Sequence, residues 1–272
     1  MKLKGLSEEE TNQILSDGQG NPRNLILLGY RGSIAHGTYK KSTEPHSVDD
    51  KDVMGVFIGS EKHYTGFEEN EVGEKMFREW DIVQYELKKF VSLLLKSNPN
   101  VLMMLWLPEK YYLLKDKYGE MLIQNRDIFV SKQAYHAFSG YAYGQFKRMT
   151  NFKFEGYMGE KRKKLVEKFG YDCKNAGHLI RLLKMGIEFL TEGVLYVERE
   201  DAPQLISIKN GEWTLEQVKS EAEKLFELAQ QAYIHSPLKD KPNYEKAEEL
   251  LMSIIRDYLS VKWKENQLLG NP

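Results

Sequence analysis

Asp50 and Asp52 stand one residue apart, directly before the apolar run Val53–Ile58. In an extended strand, residues two apart point to the same face. The pair can aim two carboxylates at one point, while Lys51 between them points away. Clustered carboxylates suit a pair of divalent cations, which can stabilise both the attacking and the leaving oxygen of a displacement at phosphorus. Upstream lies Gly32-Ser33, in RGSIAHGT. Gly32 lets the backbone approach a phosphate with no Cβ in the way. Ser33 supplies a hydroxyl, and the backbone N–H groups after it can cradle an anion. Arg31, His36 and Thr38 are polar neighbours. A third carboxylate is expected from another strand. Asp81, in REWDIVQYEL, opens an apolar β-like run; Glu86 is the alternative and is read inside the following helix. One element holds a triphosphate and the other its Mg²⁺ or Mn²⁺, so the predicted chemistry is nucleotidyl transfer. Each element alone has a bland reading, as a turn or a helix cap. Their order, each beside an apolar strand, carries the functional one. Asp49 is read as a loop or capping residue.

Farther along, Lys174, His178 and Arg181 fall at i, i+4 and i+7 and share a helix face. They are read either as a wall of the nucleotide cleft touching phosphates, or as a solvated basic edge. Residues 147–174 hold nine Lys/Arg against four acids, including the run Lys161, Arg162, Lys163 and Lys164. Phe152, Phe154, Tyr157, Phe169 and Tyr171 are interleaved with them. Cations among stacking rings suit single-stranded RNA or a nucleic-acid end, although a charge run is usually just a solvated face. Cys173 is read as a packed thiol, and no Cys/His cluster has zinc spacing.

These residues need elements to hold them. Leu6–Leu15 reads as a helix with an acidic first turn. Asn24–Leu28, Asp52–Ile58 and Trp80–Val83 read as strands. The acidic, glycine-containing stretch Glu61–Glu79 reads as a loop with some local structure. Tyr85–Leu95 carries a helical stripe, ended by Asn98-Pro99. Past about Lys115, helical periodicity dominates. Phe138, Tyr141, Ala142, Gln145, Phe146 and Met149 share one face; Ala176, Leu179, Ile180, Leu183, Ile187 and Leu190 another; Ala247, Leu250, Leu251, Ile254, Tyr258 and Leu259 a third. In Gln204–Trp213, Asn210-Gly211 is a hairpin signal with short flanks. The expectation is an α/β (α+β) domain over residues 1–115 and a helical domain over 116–272 that closes the cleft.

Bulk properties narrow the class. The chain has 272 residues, 41% apolar and 29% charged, as in a globular protein. A formal net charge of −1 gives no global field for nucleic acid, so any basic surface is local. One cysteine excludes an internal disulfide framework and fits a reducing cytoplasm. No signal peptide is read at the start. The most apolar run, Val101–Pro108, is far short of the about 20 residues that span a bilayer. A soluble, cytoplasmic protein is expected.

The order Gly-Ser, Asp-x-Asp on a strand, then a later strand acid resembles the DNA polymerase β-type nucleotidyltransferase superfamily. More narrowly, RGSIAHGT, DDKDVMGVFI, WDIVQYELKKFVSLLLKSNPNVL and KNAGHLIRLLKMGIEFLTEG resemble the bacterial and phage family of predicted nucleotidyltransferases typified by the Bacillus YcgL protein, over about Asn24 to Leu259. The resemblance implies a short mixed sheet flanked by helices, with a helical C-terminal partner. It implies that Gly32 and Ser33 hold the turn, and that Asp50, Asp52 and Asp81 are metal ligands. Two departures stand out. KKSTEPHSV lengthens the interval between Ser33 and Asp50, and Met103-Met104 falls where many relatives carry an acid. The implied reaction moves an NMP from an NTP to a hydroxyl acceptor with release of pyrophosphate. An RNA or tRNA end is favoured, with a protein side chain, a small molecule, or a non-catalytic nucleotide- or RNA-binding regulator as alternatives.

Overall fold

The computed structural model describes residues 3–268, apart from residues 18, 22, 42, 45, 46, 48, 49, 70, 71 and 151–159. Asp49, part of the KKSTEPHSV stretch, and Phe152, Phe154 and Tyr157 lie outside the described residues, as does the side chain of Lys161.

Helix α1, Glu8–Leu15, starts with a capping box between Ser7 and Glu10. Strand β1, Leu25–Tyr30, leads into the single turn α2, Gly32–Ala35. Strand β2 is Lys51–Phe57 and α3 is Glu61–Thr65. Strands β3, Val72–Phe77, and β4, Trp80–Glu86, form a hairpin, and α4, Leu87–Leu95, follows at once. Helix α5 is Pro99–Leu102, β5 is Tyr112–Lys115 and α6 is Lys117–Gln124. The chain continues in helices α7, Ala134–Thr150; α8, Glu160–Phe169; α9, Cys173–Glu192; α10, Ala202–Lys209; α11, Leu215–His235; and α12, Tyr244–Leu268.

The five strands form one mixed sheet in the order β3-β4-β2-β1-β5. Strands β2 and β4 run parallel; the other pairs are antiparallel. Alternation splits the strand side chains between two faces. Leu28, Val53, Trp80 and Ile82 pack with Leu3, Leu6 and Ile14 around α1. Leu27, Met54, Val56 and Val83 join the larger core, which reaches through Phe90, Phe138, Leu179 and Leu183 to Ile254. Asp52 shares the face of Met54, and Asp81 that of Val83. Both acids therefore point toward the helical body, whereas Lys51 lies over the ring of Trp80 on the α1 side.

Several expectations change. Glu61–Glu79 holds α3 and β3 instead of a loop. The alternation of β3 is inverted: Val72 and Met76 face out, while Lys75 turns in, its Nζ donating to Ser16 O at 2.9 Å and Asp17 O at 3.0 Å. The Gln204–Trp213 stretch is no hairpin. Pro203 opens α10, and Asn210-Gly211 ends it, with Gly211 at φ +74°. Glu86 ends β4 and caps α4, accepting from the backbone N–H groups of Lys88 and Lys89. It is 1% exposed and also accepts from the Tyr64 hydroxyl. That cap commits it structurally and removes it as the alternative third ligand.

Candidate active site

The site begins where β1 meets β2. The Arg31 N–H donates to Asp52 O at 2.9 Å, so the turn after β1 lies against the start of β2. Gly32 sits at φ +60°, and a Cβ there would lie 2.2 Å from Asp52 Oδ2. Only glycine permits that approach. Ser33 Oγ is buried and has no hydrogen-bond partner. His36 faces Val197 O through Nδ1 at 2.8 Å, which ties the turn to the segment before α10. Burial, with Arg181 nearby, pushes the His36 pKa well below the usual imidazole range, so the ring is neutral near pH 7.

Parallel pairing of β2 with β4 sets Asp52 directly beside Asp81. Arg31 Nη2 lies 2.8 Å from Asp81 Oδ2 and 3.8 Å from Asp52 Oδ1, a cation held between two carboxylates. Burial pushes the Asp52 pKa up to about 6; Arg31 and Lys174 pull it back, while Asp81 and Asp50 push it further.

Helix α9 forms the opposite wall. Its N-terminus is capped by Asp172, which accepts from the Asn175 N–H at 3.1 Å. Arg181 is 8% exposed, and among the described residues its only hydrogen bond is from Nη1 to Met185 Sδ at 3.3 Å. Among the described residues no carboxylate pairs with it. Burial and the neighbouring Arg199 lower its pKa to about 10 against the pull of Asp201, still charged at pH 7. His178 is pushed well below its usual range by burial and by Arg181.

One cavity of about 540 Å³ joins both walls. Arg31, Gly32, Ser33, His36, Asp50, Asp52 and Asp81 line one side, and Lys174, His178 and Arg181 the other. The structure thus gathers Asp50, Asp52 and Asp81, the Gly32-Ser33 turn and the α9 trio Lys174, His178 and Arg181 in one cavity. The basic run of α8 is not gathered. Arg162 Nε donates to Asp172 at 2.9 Å and its Nη2 to Asn175 Oδ1 at 2.6 Å, so it braces the start of α9. Lys163 pairs with Glu160 at 3.1 Å, and Lys164 is exposed; neither lines the cavity. Met103 lines the cavity, whereas Met104 is fully buried in the core. The sequence reading missed Asn100 and the α7 residues Gly140, Tyr141, Gly144, Gln145 and Arg148 as cavity walls. The signal was in the apolar face read for α7. Phe138, Ala142 and Met149 are buried, while Tyr141 and Gln145 turn to the cavity.

The carboxylate side fits a hard cation. It offers oxygen ligands, a side-chain-free position at Gly32, and the orphaned Ser33 hydroxyl. Among the described residues no group of three or more His, Cys, Asp or Glu is arranged to hold a metal ion as it stands, and Arg31 lies against Asp81 and Asp52. No helix among the described residues is long and apolar enough to cross a membrane.

No curated protein matches the chain significantly. Among solved structures, a nucleotidyltransferase-like protein from Exiguobacterium sibiricum 255-15 aligns over 86% of this chain and 74% of its own at 8% identity. Its TM-score of 0.28 is too low for anything to rest on. The sequence model of the RNA repair pathway DNA polymerase beta family (RlaP) matches residues 6–253, and the chain belongs to that family of the polymerase β-type nucleotidyltransferases.

Proposed function

We propose that the cavity binds a nucleoside triphosphate with Mg²⁺ and transfers its NMP to a hydroxyl at an RNA end, releasing pyrophosphate. The observation that carries this is the buried, carboxylate-free Arg181 facing Asp52 and Asp81 across one cavity. A buried cation with no carboxylate paired directly to it is costly, and an anion that fills the cavity reduces that cost. A phosphate chain does so at Arg181 and Lys174, while its metal is held at Asp50, Asp52 and Asp81. The bound metal would neutralise charge on the phosphates and lower the pKa of the attacking hydroxyl.

The chain's own groups do the rest. Gly32 leaves the space beside Asp52 open. Ser33 Oγ donates to a phosphate oxygen, gaining the partner it lacks. Neutral His36 and His178 line the pocket without adding charge. Arg31 offsets Asp52 and Asp81 until ligand arrives, then is free to turn to the phosphates. In this reading residues 1–115 are the catalytic unit, and residues 116–272 close the cleft. The family's RNA repair description supports an RNA acceptor, tRNA among the candidates.

The test is pyrophosphate release with each NTP, Mg²⁺ or Mn²⁺, and total tRNA, beside Asp52→Asn. RNA-dependent release lost in the variant supports the proposal. Release independent of RNA redirects the acceptor to a protein or a small molecule. Metal-dependent NTP binding with no release favours a non-catalytic binder. The Arg31–Asp81 contact gives that second reading its physical basis, as a cation already holding the carboxylates.

A further inference from the structure

The third wall of the cavity belongs to α7. Gly140, Tyr141, Gly144, Gln145 and Arg148 recur at the spacing of one helix face, and all five line the cavity. Glycine in a helix interior lowers stability relative to alanine, so two of them on one face need a reason. Close packing against the described residues is not the reason. Among them, a Cβ at Gly140 or Gly144 would meet no atom within 4 Å. Gly186 of α9 is the contrast, since a Cβ there would lie 3.0 Å from Phe138 Cβ. Neither Gly140 nor Gly144 has a positive φ to explain it. These two positions keep backbone bare toward open space inside the candidate site.

Two polar observations mark that space as awaiting a ligand. Gln145 Oε1, shielded from solvent, has no hydrogen-bond partner among the described residues. Arg181, nine-tenths buried, lines the same cavity without a carboxylate. An unpaired buried acceptor calls for an N–H or O–H from whatever enters. Tyr141 adds a ring to this wall, held by Asn98 Nδ2 donating to its hydroxyl at 2.9 Å. A bare helix surface, an aromatic ring and one orphaned acceptor are the features that bind a flat, apolar-faced group with a donor on its edge. A nucleobase is such a group.

We infer that the Gly140/Gly144 face of α7 is the subsite for the base of the incoming nucleotide, with Gln145 Oε1 accepting an N–H from the base edge. The inference rests on the reading of the cavity as a triphosphate site and adds where the nucleoside lies. Gln145 is then a specificity-determining residue, and Gly144 keeps the base in contact with helix backbone.

The experiment compares Mg²⁺-dependent binding of the four NTPs and of inorganic tripolyphosphate, which has no base, to the full chain and to Gly144→Leu, Gly144→Ala and Gln145→Leu. Gly144→Leu is expected to weaken the preferred NTP at least tenfold while tripolyphosphate stays within twofold. Gly144→Ala is expected to raise the melting temperature of the ligand-free protein and still weaken the NTP, a combination that misfolding cannot produce. Gln145→Leu is expected to compress the spread of affinities among the four NTPs. Equal losses for NTP and tripolyphosphate, or no loss for either, overturn the subsite. So does unchanged NTP affinity with weakened binding of an RNA oligonucleotide, which assigns α7 to the acceptor. If wild-type protein binds neither NTP nor tripolyphosphate, the triphosphate reading itself falls, and the subsite with it.

Discussion

The two charged walls of the cavity are balanced differently. On the strand wall, Arg31 sits against Asp81 at 2.8 Å and Asp52 at 3.8 Å, so the acids carry their own counter-cation. On the α9 wall, Arg181 is buried with only a thioether for a partner. One side is partly neutralised from within, and on the other Arg181 has no carboxylate paired with it among the described residues. The contrast with α8 sharpens this. Arg162 is also a cation near α9, but Asp172, 3% exposed, takes up its charge. Basic residues that look alike by composition part company on whether a carboxylate stands opposite.

The largest expected effect comes from breaking the strand wall. Asp52→Asn should lower nucleotide transfer by about a thousandfold or more, measured as pyrophosphate release, because a carboxylate in a metal site contributes several kcal/mol of charge stabilisation. Next come two substitutions of opposite sign. Arg181→Met removes a buried charge that no carboxylate pairs with directly and should raise the melting temperature of the ligand-free protein while weakening NTP binding about tenfold to a hundredfold. Arg31→Met leaves Asp52 and Asp81 unscreened and should destabilise the ligand-free protein by about 1–3 kcal/mol at pH 8 in denaturant titrations. If both shifts had the same sign, the difference between the walls would not be real. Arg162→Ala should cost about 2 kcal/mol of stability through the exposed need of Asp172, with the salt slope of RNA binding unchanged. A reduced slope would return α8 to the nucleic-acid surface.

The smallest effect is a pH dependence. Folded Asp52 titrates near 6, above its ordinary value of 3.8, so the native state binds the proton more tightly than the unfolded chain. Its contribution to stability is full below pH about 4 and is lost as pH rises through about 6. The difference between wild-type and Asp52→Asn melting temperatures, taken across that window without metal, should follow this course. A flat difference would mean that Arg31 compensates burial fully.

Legibility followed the range of the interactions. Asp52 and Asp81 were readable as cavity-lining acids because strand alternation fixes the direction of a side chain within two residues; Asp50 precedes β2 and lines the cavity from outside the strand. Lys174, His178 and Arg181 were readable because helix spacing is equally local. What failed depended on partners far along the chain. Arg162 reads as a free cation until the cap of the next helix places Asp172 and Asn175 against it. Glu86 reads as a ligand until β4 ends on it and Tyr64 arrives from α3. Strand β3 was hidden because its buried face carries Lys75, anchored to carbonyls after α1, while Val72 and Met76 face out. The Arg31 contact needs the register of two parallel strands, and no local pattern encodes it. Gly140 and Gly144 fell outside the apolar stripe read for α7 and drew no reading from the sequence.

The positive φ of Gly32 and its approach to Asp52 have a consequence at the level of codons. Every missense change reachable from a glycine codon by one nucleotide installs a Cβ, so position 32 has no neutral neighbour in mutational space. Gly144, with open room around it, has alanine one step away. A library scored separately for abundance and for activity should lose position 32 on both scores, and position 144 on activity alone.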